Sequence, residues 1–197
     1  MHRRSPRSTL NPSHCKALQH AWIEAASQGY PLNAFITIRN PGEPLNPQEN
    51  ANRVAVFWNR LAVWSRRHTA EQTFHCIVTR EAAPNGKRIG TGEHFHALLH
   101  VPHRQFEALM EATARWYPAP GEAVVKPARQ TVSRSEGGKI RSALGYITKQ
   151  RTPQAAWATD YSRKPGGIVL GKRYRITANL RPKPIDVALP RPLHRVA

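Results

Sequence analysis

One stretch decides the predicted fold, a short apolar segment that carries three histidines: Gly92-Glu93-His94-Phe95-His96-Ala97-Leu98-Leu99-His100-Val101-Pro102. Side chains alternate across a β-strand, so the histidines and Leu98 face one way. The other face is wholly apolar and belongs to a hydrophobic core: Phe95, Ala97, Leu99 and Val101. His94 and His96 can therefore direct two imidazole nitrogens to one metal ion. The alternative is a pair of packed core histidines with backbone partners.

A second strand is predicted just before this one, from Thr73 to Glu81. The loop from Ala82 to Gly92 contains Asn85-Gly86 and two further glycines, which favours a hairpin between the two strands. In such a hairpin Glu81 ends its strand where the histidine strand begins. Its carboxylate can then reach the two imidazoles and complete a divalent-metal site. An exposed glutamate at a strand end is the alternative.

A helix is predicted from Lys139 to Gln150, with an apolar stripe formed by Ile140, Ala143, Leu144 and Ile147. Tyr146 and Lys149 fall on the adjacent stripe, so the phenol hydroxyl can overhang a site on the sheet. Lys149 lies one turn further on, where its charge can hold a phosphate or favour a phenolate. An ordinary boundary tyrosine and a solvated lysine are the alternative.

Two short motifs together resemble the HUH endonucleases, the superfamily of rolling-circle replication initiators, relaxases and single-tyrosine transposases. The run His94-Phe95-His96 matches the His-hydrophobic-His signature of that superfamily. The run Tyr146-Ile147-Thr148-Lys149 matches the tyrosine and lysine motif of its single-tyrosine replication initiators. The likeness extends loosely from Phe35 to Lys149.

The resemblance implies an enzyme, a metal-dependent endonuclease that nicks and rejoins single-stranded DNA at a specific sequence. Tyr146 would be the nucleophile that forms a 5′-phosphotyrosine intermediate, assisted by Lys149. A divalent metal, Mg²⁺ or Mn²⁺, would be held by His94 and His96. The implied role is the initiation of rolling-circle replication of a plasmid or phage. The protein would then act at a replication origin in the bacterial cytoplasm, with a host helicase as partner.

The third metal ligand stays open between two residues. In replication initiators of this type a glutamate on the preceding strand often serves, and Glu81 matches it by order and spacing. In single-tyrosine transposases a glutamine four residues after the tyrosine serves, and Gln150 matches that offset. A relaxase or single-tyrosine transposase with the same chemistry is therefore one alternative function. A non-catalytic nucleic-acid-binding protein, with a structural or zinc-binding histidine pair, is another.

The charge of the chain predicts a polyanionic partner. Thirty Lys and Arg face twelve Asp and Glu, a formal net charge of +18, which favours nucleic acid. No apolar run is long enough to span a bilayer and no signal peptide is expected, so no membrane partner is predicted. The predicted DNA-binding residues are Arg134, Lys139, Lys172, Arg173 and Arg175.

A length of 197 residues suits one domain with tails. The predicted divisions are a disordered basic arm over 1–10, the endonuclease domain over 11–150, a basic extension packed on or near it over 151–180, and a Pro/Arg-rich tail over 181–197. The predicted fold class is α+β, a central antiparallel sheet of four or five strands with helices packed on it. The resemblance implies that this sheet is ferredoxin-like or RNA-recognition-like.

Overall fold

The computed structural model describes residues 6–7, 9–39, 46–69, 73–83, 92–128, 142–158 and 166–182. Its strands are β1 (Pro6–Arg7), β2 (Ala34–Arg39), β3 (Cys76–Glu81), β4 (His94–Leu99), β5 (Ala123–Pro127), β6 (Val169–Leu170) and β7 (Tyr174–Ile176). Its helices are α1 (Pro12–Ser27), α2 (Pro47–His68), α3 (Phe106–Trp116) and α4 (Ala143–Ile147). Short 3-10 turns occupy His103–Gln105, Pro153–Ala158 and Ala178–Leu180.

Five strands form one antiparallel sheet in the order β5-β2-β4-β3-β7. The run β2-α2-β3-β4-α3-β5 has the βαββαβ connectivity of ferredoxin-like folds. In this sheet β4 lies between β2 and β3. Strand β7 then adds a fifth strand next to β3. The predicted α+β class, with helices packed on an antiparallel sheet, is confirmed.

Local sequence signals explain where the two long helices begin. Asn11 caps α1 by accepting a hydrogen bond from the backbone N–H of His14. Asn46 caps α2 by accepting from the backbone N–H groups of Gln48 and Glu49. In both helices proline follows the cap, where the missing N–H costs nothing.

The sheet separates two hydrophobic cores. One lies under α2 and α3 and receives the apolar face of β4, as predicted: Phe95, Ala97, Leu99 and Val101. The other lies under α1 and α4 and includes Leu98, Phe35, Ile77 and Ile176. Because side chains alternate, His96 shares the second face with Leu98. The histidine pair therefore lies on the α1 and α4 side of the sheet.

Ordered elements lie on both sides of two predicted boundaries. Within the expected disordered arm, β1 pairs with β6, and Leu10 is buried, with its backbone hydrogen-bonded to Gln150 and Thr152. Beyond residue 150 the chain packs on the domain, because β7 belongs to the main sheet and Leu180 belongs to its second core. No helix in the described ranges has the length and apolar character needed to cross a bilayer.

The predicted helix over Lys139–Gln150 is shorter in the structure. Ser142 caps α4, its hydroxyl accepting from the backbone N–H of Gly145 at 3.0 Å, and the helix ends at Ile147. Residues 139–141 lie outside the described residues. Because Lys149 and Gln150 follow the helix, their side chains are not placed by helical periodicity.

Candidate metal centre

The register of the hairpin brings Glu81 together with the two histidines. Glu81 lies directly opposite His94, and His96 is the next residue on the same face of β4. Opposite and diagonal side chains on an antiparallel pair are within reach of each other. The Glu81 Oε2 atom lies 3.2 Å from His94 Nε2 and 3.6 Å from His96 Nε2. One ligand atom from each residue lies within 4.8 Å of the others.

The polar atoms of this cluster fit a metal ion. Glu81 and His96 are each 1% exposed, and buried polar atoms normally have hydrogen-bond partners. Among the described residues, His96 Nε2 and Glu81 Oε1 make no hydrogen bond. Two imidazole nitrogens and a carboxylate oxygen are donors that divalent metals accept. The cluster of Glu81, His94 and His96 could therefore hold a metal ion.

Each imidazole faces Glu81 with Nε2, and a hydrogen bond at its other nitrogen, Nδ1, fixes how the ring is oriented. His94 Nδ1 lies 3.1 Å from the Gly92 carbonyl oxygen, and His96 Nδ1 lies 2.9 Å from the Thr37 hydroxyl. A carbonyl only accepts, so a neutral His94 ring carries its proton on Nδ1 and presents a lone pair at Nε2. Thr37 reaches His96 because the two are opposite each other on β2 and β4. Such outer contacts orient metal-binding histidines.

We expect Thr37→Val to lower the affinity for Mn²⁺ by about 10- to 100-fold, because it removes the hydroxyl that orients His96. Isothermal titration calorimetry measures the change. Thr79 provides a matched control, since it lies opposite His96 on β3 and its buried hydroxyl makes no hydrogen bond with the described residues. Thr79→Val should leave the affinity unchanged, and Thr37→Ser should restore it. Equal losses in both valine variants would contradict the role of Thr37.

The charges around the cluster keep its ligand atoms in the form that binds a metal. Burial opposes ionisation of Glu81, but His94, His96 and the Lys149 ammonium hold the pKa of its carboxyl well below the usual range. Burial lowers the pKa of His96 to about 4, although Glu81 opposes that shift. At neutral pH Glu81 is therefore an anion and His96 a neutral imidazole, as metal coordination requires.

Lys149 is buried rather than solvated. Its ammonium forms an ion pair with Glu81 Oε2, the same oxygen that faces both histidines. The ammonium also lies 3.6 Å from the centroid of the Tyr146 ring. Lys149 thus connects the Glu81 carboxylate with the phenol, and a metal ion bound by Glu81 would meet this positive charge.

We expect Lys149→Met to bind Mn²⁺ about tenfold more tightly than the unmodified protein. Two unit charges 4 Å apart interact by about 4 kcal/mol near a protein surface. Relief of only a third of that repulsion, about 1.4 kcal/mol, changes an affinity tenfold. Calorimetric titration measures the gain. Lys126→Met is the control, because that ammonium lies in the same cleft over the ring of Phe35. Unchanged or weaker binding by Lys149→Met would show that Lys149 does not compete with the metal.

Tyr146 lies beside the cluster. Its ring centroid is 5.1 Å from that of His96 and 5.7 Å from that of Phe35, edge to face in both cases. The tyrosine is half-buried and lines an open cleft of about 440 Å³ that His94 and His96 also line. The structure therefore brings the phenol and the histidine pair into one cleft.

Gln150 does not join the cluster. Its amide oxygen accepts hydrogen bonds from Arg173 at 2.9 and 3.3 Å, and its amide nitrogen donates to the Ala82 carbonyl at 3.1 Å. Arg173 is 1% exposed and also donates to the Gly167 carbonyl. The oxygen that would bind a metal thus bonds a guanidinium instead. Because that guanidinium is buried, the prediction that Arg173 contacts DNA is wrong.

The structure describes two of the four other predicted DNA-binding residues, Lys172 and Arg175. Arg134 and Lys139 lie outside the described residues. Lys172 is exposed, whereas the Arg175 guanidinium lies over the Trp58 ring, 5.9 Å from its centroid. Trp58 belongs to α2, so Arg175 lies on the sheet face opposite the histidine pair.

The cleft is also lined by residues outside the two sequence motifs: Phe35, Thr37, Arg39, Val124 and Lys126. Alternation along β2 indicates that Phe35, Thr37 and Arg39 share a face of the sheet. It does not tell which strand lies beside β2, and that neighbour, β4, is what makes these residues part of the site.

The described site places His94, His96 and Tyr146 in one cleft, with the buried ion pair of Glu81 and Lys149 beside them. No family model, no curated protein and no solved structure matches this chain. The chemistry of these side chains is therefore the basis on which a function is assigned.

Proposed function

We propose that this protein is a metal-dependent endonuclease that nicks and rejoins single-stranded DNA through Tyr146, and that it initiates rolling-circle replication of a plasmid or phage. The observation that carries the proposal is the position of the Tyr146 ring beside the cluster of Glu81, His94 and His96. The net charge of +18 supports a nucleic-acid substrate. The resemblance of the two motifs to HUH endonucleases supports the same chemistry.

Bound at the cluster, Mg²⁺ or Mn²⁺ would supply Lewis-acid polarisation of the scissile phosphate. The phenolic oxygen of Tyr146 attacks phosphorus and loses its proton to solvent. As the new oxygen–phosphorus bond forms, the bond to the 3′ oxygen breaks, and that oxygen takes up a proton. The products are a free 3′-hydroxyl and a 5′-phosphotyrosine. The hydroxyl can prime replication or attack the ester to rejoin the strand without ATP.

Lys149 would assist the nucleophile. A free phenol has a pKa near 10, so its anion needs stabilisation to form at neutral pH. The Lys149 ammonium, 3.6 Å from the Tyr146 ring centroid, supplies a positive charge in a buried position where charges interact strongly. Loss of this charge should slow formation of the phosphotyrosine.

A direct test incubates the protein with Mn²⁺ and a pool of single-stranded oligonucleotides. The expected result is a protein–DNA adduct on a denaturing gel, absent when EDTA replaces the metal. Mass spectrometry of the digested adduct should find the nucleotide on Tyr146. Hydrolysis without an adduct on any tyrosine would mean an ordinary metal-dependent nuclease. Zinc binding with no cleavage would mean a non-catalytic nucleic-acid-binding protein.

The contacts of Gln150 favour a replication initiator over a single-tyrosine transposase. Its amide oxygen is bonded to Arg173, while Glu81 lies with the histidines. In the proposed role the protein acts at an origin in the bacterial cytoplasm, and a host helicase supplies the unwinding.

A further inference from the structure

The candidate metal cluster is enclosed on the Glu81 side and open on the His94 side. Glu81 and His96 are almost wholly buried, and the buried Lys149 lies against the Glu81 carboxylate. In contrast, 28% of the His94 side chain is exposed. A substrate therefore reaches the cluster past His94, from the direction of β2 and β5.

The sheet face on this open side carries two cations in register with the site. Arg39 on β2 lies directly opposite His94, so the two are neighbours across one strand spacing. Lys126 on β5 lies opposite Phe35. Both cations and the intervening Val124 line the cleft that contains the histidine pair.

The chemistry of this surface suits a strand of nucleic acid. Arg39 and Lys126 are exposed, and neither forms an ion pair with a carboxylate of the described residues. The acidic residue that lines the cleft beside His94, Glu93, is buried in an ion pair with Arg80. Val124 is 40% exposed and offers an apolar surface between the two cations. Positive charges that follow the backbone, with apolar contact for bases, are how proteins bind single strands.

We propose that Arg39 and Lys126 form a phosphate track that binds the backbone of single-stranded DNA on the His94 side of the cluster. The assignment of DNA as the ligand rests on the proposed function. Arg39 contacts the phosphate nearest the cluster. Lys126 lies level with Phe35, four residues or about 13 Å further along β2, so it contacts a different phosphate. Bases of the intervening nucleotides pack on Val124.

The test is the binding of a fluorescently labelled oligothymidylate, followed by anisotropy in EDTA over a series of salt concentrations. EDTA removes metal, so the result depends neither on the metal centre nor on nicking. Arg39→Gln and Lys126→Gln should each weaken binding several-fold. Each should also make the negative slope of log affinity against log salt concentration shallower by about 0.7, because one phosphate contact is lost. The double variant should make this slope shallower by about 1.4.

Arg66→Gln is the matched control, because Arg66 is an exposed arginine in the last turn of α2, on the opposite face of the sheet. It should keep the original slope, and circular dichroism should find all variants folded. If Arg39→Gln and Lys126→Gln behave like Arg66→Gln, the phosphate track is wrong even if the adduct forms. If they show the expected losses but no adduct forms with Mn²⁺, the track stands and the proposed nicking activity is wrong.

Discussion

Tyr146→Phe should form no covalent adduct with DNA, while it binds Mn²⁺ and oligonucleotides as the unmodified protein does. The substitution keeps the ring that packs edge to face against Phe35 and His96, and it removes only the hydroxyl. Without that oxygen no phosphotyrosine can form, so the adduct should fall by several orders of magnitude. Denaturing gels measure the adduct, and calorimetry and anisotropy measure the two binding reactions.

Tyr174→Phe is the matched control for this loss. Tyr174 lies on β7 opposite Thr79, on the same face of the sheet as His96, and packs against His14 with ring centroids 4.9 Å apart. It should form the adduct at the normal rate. A phosphotyrosine at Tyr174, or at Tyr161 outside the described residues, would refute the assignment.

Two further tyrosines, Tyr30 and Tyr117, are packing residues. Tyr30 stacks on His75 with ring centroids 4.3 Å apart. Tyr117 is buried, and the Arg53 guanidinium lies 5.0 Å from its ring centroid. Neither lines the cleft that holds the histidine pair. Of the four tyrosines that the structure describes, Tyr146 is the one in that cleft.

The hairpin that holds the candidate ligands could be predicted from sequence because its information is local. Alternating residues set the face of each strand, and a glycine-rich loop joins two consecutive strands. Those two facts bring Glu81 to the end of the sheet where the histidine strand begins, and the structure has it directly opposite His94. The helix caps at Asn11 and Asn46 are local in the same way.

The rest of the cleft depends on pairing between strands that are distant in the chain. Periodicity tells which residues of β2 share a face, but not that β2 lies beside β4, nor that β5 lies at the edge. Thr37, Arg39 and Lys126 belong to the site only through these pairings. Sequence periodicity therefore does not reveal the Thr37 hydroxyl that orients His96, nor the two cations of the phosphate track, Arg39 and Lys126.

Buried charge was the other feature that sequence patterns did not reveal. A lysine near the end of a predicted helix and an arginine in a basic segment are most often solvated. Lys149 is buried because it pairs with Glu81, and Arg173 because Gln150 and a backbone carbonyl accept its hydrogen bonds. Helix α4 also ends before Lys149, so helical periodicity does not set the position of that side chain. The helix ends early because Gly145 disfavours helix and the Thr148 hydroxyl donates a hydrogen bond to the Leu144 carbonyl.

Glu81→Gln should lower the affinity for Mn²⁺ by more than about 100-fold, while Gln150→Ala should leave it nearly unchanged. Changes in residues that only orient metal ligands already cost 10- to 100-fold, and Glu81 would contribute both a donor atom and a negative charge. Gln150 holds Arg173 instead, so its loss should lower the free energy of unfolding by about 1–3 kcal/mol. Calorimetric titration and thermal unfolding separate the two effects.

Glu81→Gln also leaves the buried Lys149 without its counter-ion, so a control must reproduce that defect without touching a ligand. Glu93→Gln does so, because Glu93 is a buried carboxylate that pairs with Arg80 and is not a member of the cluster. The Glu93→Gln protein should have a lower free energy of unfolding and yet bind Mn²⁺ with the affinity of the unmodified protein. Equal losses of affinity in Glu81→Gln and Glu93→Gln would mean that disturbed charge, rather than a missing ligand, explains the effect. If Gln150→Ala binds more weakly than Glu81→Gln, the third ligand is Gln150 and the chain more closely resembles a single-tyrosine transposase.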